Sequence, residues 1–187
     1  MKAVLISVQP KWCELIASGK KTIEVRKTRP KINTPFKGYI YCTNNGEILI
    51  ERKDLKDSRW PGAIYERVKG KVIGEFVCDK VYSIKNQGNS FVVANEEQGV
   101  TNEIARQSCL EYDDMVGYLG NKDGYGLHIT ALKIYNKPKE LSEFCIPCKV
   151  SCENCKNPLY FECSCEEKGK KIITRPPQSW CYVEERK

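Results

Sequence analysis

Short apolar runs separated by polar breaks run the length of the chain, and their periodicity predicts the elements. AVLIS, residues 3–7, is a short apolar run and predicts a strand. Pro10 then suits the first turn of a helix, where its missing N–H costs nothing. Trp12, Leu15 and Ile16 recur at spacings of three and four and make one apolar helical face. Gly19 follows as a left-handed cap. TIEVR, Thr22 to Arg26, resumes as a strand with β-branched residues in strict alternation.

The same reading carries through the rest of the chain. Pro30, Pro35 and Gly38 mark a loop before the strand YIYCT at residues 39–43. Asn45-Gly46 is a turn signal that would fold the following ILIE back as a hairpin. The polar segment Arg52 to Gly62 reads as an exposed loop. Residues 71–84 predict one long strand with Gly74 as a bulge site. Helices are expected near Asn102 to Arg106 and from Glu111 to Leu119, the second closed by Gly120. Tyr125 to Tyr135 predicts a further strand, and SWCYVEE near the C-terminus another alternating run. Several strands with few helices and mixed spacing imply an α+β fold, a small β-barrel with short flanking helices.

Composition narrows the class. The chain has 187 residues, 41% hydrophobic and 29% charged, which describes a globular protein with one packed core and room for an appendage. Lys and Arg number 31 against 24 Asp and Glu, a formal net charge of +7. That excess favours an anionic partner, nucleic acid first among them. No apolar run of about 18 residues is present, so no membrane span is expected. The N-terminal apolar run is too short for a signal peptide and lacks a small-residue cleavage site, so the expected compartment is the cytoplasm.

The stretch GKKTIEVR, Gly19 to Arg26, concentrates charge. Alternation sends Ile23 and Val25 to the core and leaves Thr22, Glu24 and Arg26 on the other face, with Lys21 at the turn before them. A solvated strand face and the floor of a binding site both fit that pattern. Gly19, Lys21, Glu24 and Arg26 resemble the G-x-K-x-x-E-x-R signature of the ASCH domain, in the PUA-like superfamily. The flanking SVQPKWCELIASGKKTIEVRKTRP looks like this family over its whole length. YLGNKDGYGLHITALKIYNKPKELSEF and RPPQSWCYVEE resemble a bacterial and phage-type branch of it. The resemblance implies a PUA-like β-barrel over residues 1–140, with a cleft at the signature that binds RNA or nucleotides. It also implies an alternative, since one small bacterial branch is an amidohydrolase acting on N-acetylated cytidine. That branch has a lysine at the position matching Lys21 and a threonine where this chain has Glu24. Its catalytic glutamate falls in the helical region, where Glu111 is one candidate.

The chemistry of such a cleft follows from the residue types. Arg26 can meet phosphate bidentately and a lysine meets it as a charge. Glu24 suits orienting Arg26 or accepting from a base amino group. Partial burial beside Lys20 would lower the pKa of Lys21, as a general base or nucleophile requires. The candidate catalytic residues are therefore Lys21, Thr22 and Glu24. The candidate nucleic-acid contacts are Lys20, Lys21, Glu24, Arg26 and Trp60, the last between Arg59 and Pro61, where it either stacks a base or anchors a loop. Trp12 and Trp180 are expected in the core, and His128, the single histidine, as a satisfied barrel residue.

Eleven cysteines are present, six of them between Cys145 and Cys165. In a reducing compartment clustered thiols point to metal or to no ligand. Residues 141–178 are thus expected to form a cysteine-rich segment, with Cys148, Cys152, Cys155 and Cys163 as candidate ligands of a structural zinc. Residues 179–187 would return as a final strand to the barrel. A third function class is a protein-interaction module built on that segment.

Overall fold

The computed structural model describes residues 2–51, 65–88, 90–147 and 172–185. Trp60 and the candidate zinc ligands Cys148, Cys152, Cys155 and Cys163 lie outside the described residues, as does the loop expected at 52–62.

The chain opens with β1 (Ala3–Val8), α1 (Pro10–Ala17), β2 (Ile23–Arg26) and β3 (Phe36–Cys42). It continues through β4 (Ile48–Glu51), β5 (Tyr65–Val68), β6 (Lys71–Cys78), β7 (Val81–Asn86) and β8 (Phe91–Val93). Two helices follow, α2 (Gln98–Ser108) and α3 (Tyr112–Leu119). After them come β9 (Gly124–His128), β10 (Thr130–Lys139), a 3-10 turn at Leu141–Glu143, β11 (Phe144–Cys145) and β12 (Trp180–Glu185). A six-stranded sheet has the order β10-β6-β3-β1-β12-β11, a four-stranded sheet the order β2-β9-β7-β8, and β4-β5 form a ribbon. Within the large sheet β1 runs parallel to β3 and antiparallel to β12.

Period-two alternation distributes the core. On β1, Val4, Ile6 and Val8 enter one cluster with Ile40, Ile73 and Phe76 of the large sheet, Leu127 of β9, and Cys13 and Ile16 of α1. This cluster is shared by both sheets, so they close around it as a small barrel, and the α+β expectation holds. Ala3 and Leu5 face the opposite way, toward Tyr39, Tyr41, Phe144 and Val183. β1 is therefore buried on both faces, which is why its sequence is apolar at every position but Ser7. Ile23 and Val25 join Ile104, Met115 and Leu119 in a third cluster between the small sheet and the helices α2 and α3.

Three expectations are corrected. Residues 71–84 form two strands: β6 belongs to the large sheet and β7 to the small one, with the break at Asp79-Lys80. Residues 125–135 divide likewise into β9 and β10 at Ile129. The second run stays apolar through its corner at Ile129, and the first is interrupted only by the short polar pair Asp79-Lys80, so pattern alone joins what the sheets separate. The corners are stitched together, with His128 N–H donating to the Lys80 carbonyl at 3.0 Å and Ile129 N–H to the Thr22 carbonyl at 2.8 Å. The His128 ring meets Asp79 at 2.7 Å through Nδ1, so this histidine is a satisfied corner residue. Finally, ILIE pairs with β5 and not with β3. The bulge expected at Gly74 falls beside it, where the β3–β6 register skips Ile73. Among the described residues no helix is long and apolar enough to cross a membrane.

One close approach can be tested. Gly38 on β3 sits opposite Phe76 on β6, and an added Cβ would lie 2.3 Å from the Phe76 ring. Phe76 is 1% exposed and has nowhere to move. Gly38→Ala should therefore lower stability by about 1–3 kcal/mol, the usual cost of overpacking. Urea unfolding measures it, and an unchanged midpoint would show that the β3–β6 seam is looser than described.

Candidate functional site

The site begins with a helix end. Gly19, at φ 75°, takes the left-handed conformation that ends α1. Nothing lies within 4 Å of a Cβ built there, so the glycine is required by its backbone angle and not by space. Gly19 N–H donates to the Ile16 carbonyl and Lys21 N–H to the Leu15 carbonyl, each at 2.9 Å, occupying acceptors that the helix end leaves open. The turn carries Lys21 beneath Trp12, with Nζ 5.2 Å from its ring centroid.

Lys21 is only 2% exposed. Its ammonium donates to the Ser108 carbonyl, at the last residue of α2, where free carbonyls and the helix dipole favour a cation. Its second partner is Glu24, whose Oε2 lies 3.5 Å away. The other oxygen of Glu24 lies 2.9 Å from Arg26 Nη2. Arg26 also donates to the Ser7 carbonyl on β1 at 2.7 Å. Glu24 and Arg26 are 6% and 5% exposed. The three charges thus form a buried chain in which one carboxylate lies between two cations. Burial holds the Lys21 ammonium below the ordinary lysine pKa, and the neighbouring Glu24 carboxylate opposes that shift. Arg26 Nε is buried with no hydrogen-bond partner among the described residues, an unsatisfied donor in the floor of the site.

Above this floor opens a cleft of about 830 Å³, large enough for a drug-sized or nucleotide-sized ligand. One wall is Gln9, Lys11 and Trp12 of α1 and its N-terminal approach. Leu110, with Asp113, Asp114, Gly117 and Tyr118 of α3, lines the cleft as well. Thr43 and Asn45 close one end, and Pro176, Pro177 and Gln178 another. The charged lining residues are Lys11, Lys21 and Arg26 against Glu24, Asp113 and Asp114, so the formal charges cancel.

The structure therefore brings Lys21, Glu24 and Arg26 together at one floor. Thr22 is half-buried just before β2, its N–H bonded to the Gln107 carbonyl, and it does not line the cleft. Lys20 is exposed and also stands outside the lining. Trp12, expected in the core, packs on the core and walls the cleft as well. Trp180 packs on the core, and its Nε1 donates to Thr28. Glu111 caps α3 in a reciprocal box with Asp114 and does not line the cleft. Asp113, Asp114 and Tyr118 were missed from sequence. The two acids were signalled only by their place in the first turn of a helix, Asp114 as the partner of Glu111 in the capping box, and Tyr118 carried no signal. Among the described residues no group of three His, Cys, Asp or Glu side chains could hold a metal ion.

A family model of the ASCH domain matches residues 6–162, a span containing the whole floor. The chain belongs to the ASCH family. This is a PUA-like family of RNA-binding modules, and the fold agrees. The crystal structure of ASCH from Zymomonas mobilis superposes with a TM-score of 0.55 at 15% identity, covering 97% of this chain and 87% of that one. A serine-to-alanine mutant of that protein gives 0.55 at 15% identity over 98% and 89%. A tyrosine-to-phenylalanine mutant gives 0.50 at 17% identity over 75% and 77%. At these identities the likeness is one of fold. No curated protein matches the chain. In this ASCH chain the signature glycine makes the turn and the three signature charges make the floor.

Two outcomes follow from that floor. Glu24→Gln leaves two buried cations without their carboxylate and should cost about 3–5 kcal/mol in urea unfolding. Adding Lys21→Met should recover part of the loss, because one uncompensated charge is gone. If the double variant is no more stable than Glu24→Gln, the two residues are not coupled. The second outcome concerns pH. The folded pKa of Lys21 lies below the unfolded one, so the unfolded chain binds more protons between the two, and stability rises with pH through that window. Wild-type stability relative to Lys21→Met should therefore increase as pH climbs toward about 10.4, the ordinary lysine value. A pH-independent difference would contradict the buried ammonium.

Proposed function

We propose that the cleft receives a single nucleotide, free or splayed from RNA, with its base against the Lys21–Glu24–Arg26 floor. The observation that carries this is the charge arrangement. A phosphate site would be uniformly basic, whereas this floor presents buried cations and a buried carboxylate side by side, within a cleft whose lining charges cancel as a whole. Such a mixed set matches the edge of a nucleobase, which offers donors and acceptors together. Trp12 and Tyr118, both lining the cleft, supply flat apolar surfaces on which unpaired bases stack. The net charge of +7 then serves the phosphates outside the cleft.

A second reading has one observation in its favour. A lysine held below its ordinary pKa by burial is a possible general base, as amide hydrolysis of an N-acetylated cytidine would need. Against it, the ammonium is already engaged by Ser108 and Glu24, and no hydroxyl from Thr22 lines the cleft. Binding without turnover is the reading we adopt.

The test is a titration of the four ribonucleoside monophosphates and a short single-stranded RNA, followed by tryptophan fluorescence. Binding should quench a signal that disappears in Trp12→Phe. Arg26→Gln, with folding verified by circular dichroism, should weaken binding by roughly 1–3 kcal/mol. Tyr118→Ala, outside the buried floor, should weaken it too. Affinity unmoved by either variant would refute the cleft as the site. Release of acetate from N-acetylated cytidine, abolished by Lys21→Met, would replace binding with hydrolysis.

A further inference from the structure

Several surface lysines among the described residues are paired with carboxylates. Lys37 lies 2.8 Å from Glu75, Lys80 3.0 Å from Glu96, Lys85 2.7 Å from Asp123 and Lys71 3.1 Å from Glu140. Lys27, Arg29 and Lys31 are among the surface cations without such a partner. All three are exposed, and among the described residues no carboxylate pairs with any of them. They alternate along the segment that leaves the cleft floor at Arg26, so the whole strip spans at most about 18 Å of chain.

Its backbone is held in place from β12. Trp180 Nε1 donates to the Thr28 hydroxyl at 3.0 Å, and Lys31 N–H donates to the Tyr182 hydroxyl at 2.7 Å. Lys27 Nζ stands 5.3 Å from the ring centroid of Tyr118, which is also a wall of the cleft. Arg29 stands 5.8 Å from the ring of Tyr125, the β9 partner of Arg26. Beyond them lies a second hollow of about 570 Å³, whose charged lining residues are Arg29, Lys31 and Lys80, with no carboxylate among the lining residues.

We propose that Lys27, Arg29 and Lys31 form a phosphate track that carries a single strand of RNA from the cleft into this second hollow. The inference rests on the cleft reading above and extends it from one nucleotide to an oligonucleotide. Three features select a nucleic-acid backbone over other anions. The cations recur at every second residue of a segment tied to β12, they begin beside a wall of a base-sized cleft, and each of the first two stands near an aromatic ring that can also support a base. The division of charge is consistent with this occupant. The cleft is neutral where a base would lie, and the track is uniformly basic where phosphates would run.

The experiment uses the full chain and the combined variant Lys27→Gln, Arg29→Gln, Lys31→Gln, which removes no ion pair of the described residues. Binding of a labelled unstructured RNA octamer is measured by anisotropy across a salt series, and binding of the ribonucleoside monophosphates is measured alongside. Each lost phosphate contact lowers the salt slope by about 0.7, so the variant should lose about 2 units of slope and roughly 10- to 100-fold in octamer affinity at 0.1 M salt. Its monophosphate affinity should fall by no more than the one phosphate contact at Lys27, far less than the octamer's loss. An octamer that binds no tighter than a monophosphate, or a slope equal in wild type and variant, overturns the track and leaves the cleft reading standing. Octamer binding that depends on the three cations, with no monophosphate bound, upholds the track and removes the cleft reading. Polyglutamate that competes equally with the octamer overturns the assignment to RNA, because the strip would then be a general anion surface.

Discussion

A carboxylate buried between two cations organises this molecule. Glu24 can sit at 6% exposure only because Lys21 and Arg26 flank it, and they can be buried only because it is there. The surplus positive charge is met by neutral acceptors, the carbonyl of Ser108 at the end of α2 and the carbonyl of Ser7 on β1. Those two bonds tie the floor to a helix terminus on one side and to the central strand of the large sheet on the other. A rigid polar floor in an otherwise apolar interior is the result, and the cleft is the space left above it.

The barrel provides the frame for that floor. β2 lies at the edge of the small sheet, with Ile23 and Val25 anchored under α2 and α3, so its other face must turn toward the cleft. The two corners at Asp79-Lys80 and Ile129 let single stretches of chain serve both sheets, and they bring α3 and its acidic first turn over the site. The cleft walls therefore come from α1 and α3, elements separated by about half the chain. Their charges offset those of the floor, which leaves the net positive charge of the protein to act outside the cleft.

Much of this was legible in the residues. Gly19 announced a helix end, and the structure uses it for a positive φ that other residues adopt only with strain. The alternation of TIEVR placed Ile23 and Val25 in the core and Glu24 and Arg26 together, because a strand has a period of two whatever surrounds it. The short apolar run AVLIS marked the first strand. The spacing of Lys21, Glu24 and Arg26 allowed one shared site, and the family signature named it.

What the sequence could not decide was which distant groups complete each pattern. Periodicity reports the face on which a residue lies, not the partner that covers it, so a solvated Glu24–Arg26 face and a buried one read alike. Burial came from α2, whose last carbonyl meets Lys21 across 87 positions. The run at 125–135 stays apolar through its corner at Ile129, and the run at 71–84 is interrupted only at Asp79-Lys80, because a bend that changes sheets needs no more than a residue or two. Asp113, Asp114 and Tyr118 looked like the ordinary start and face of a short helix. Only the packing that brings that helix and α1 to the same cleft made them part of its lining, since the distances that define a cavity are set by contacts between elements and by nothing local to any one of them.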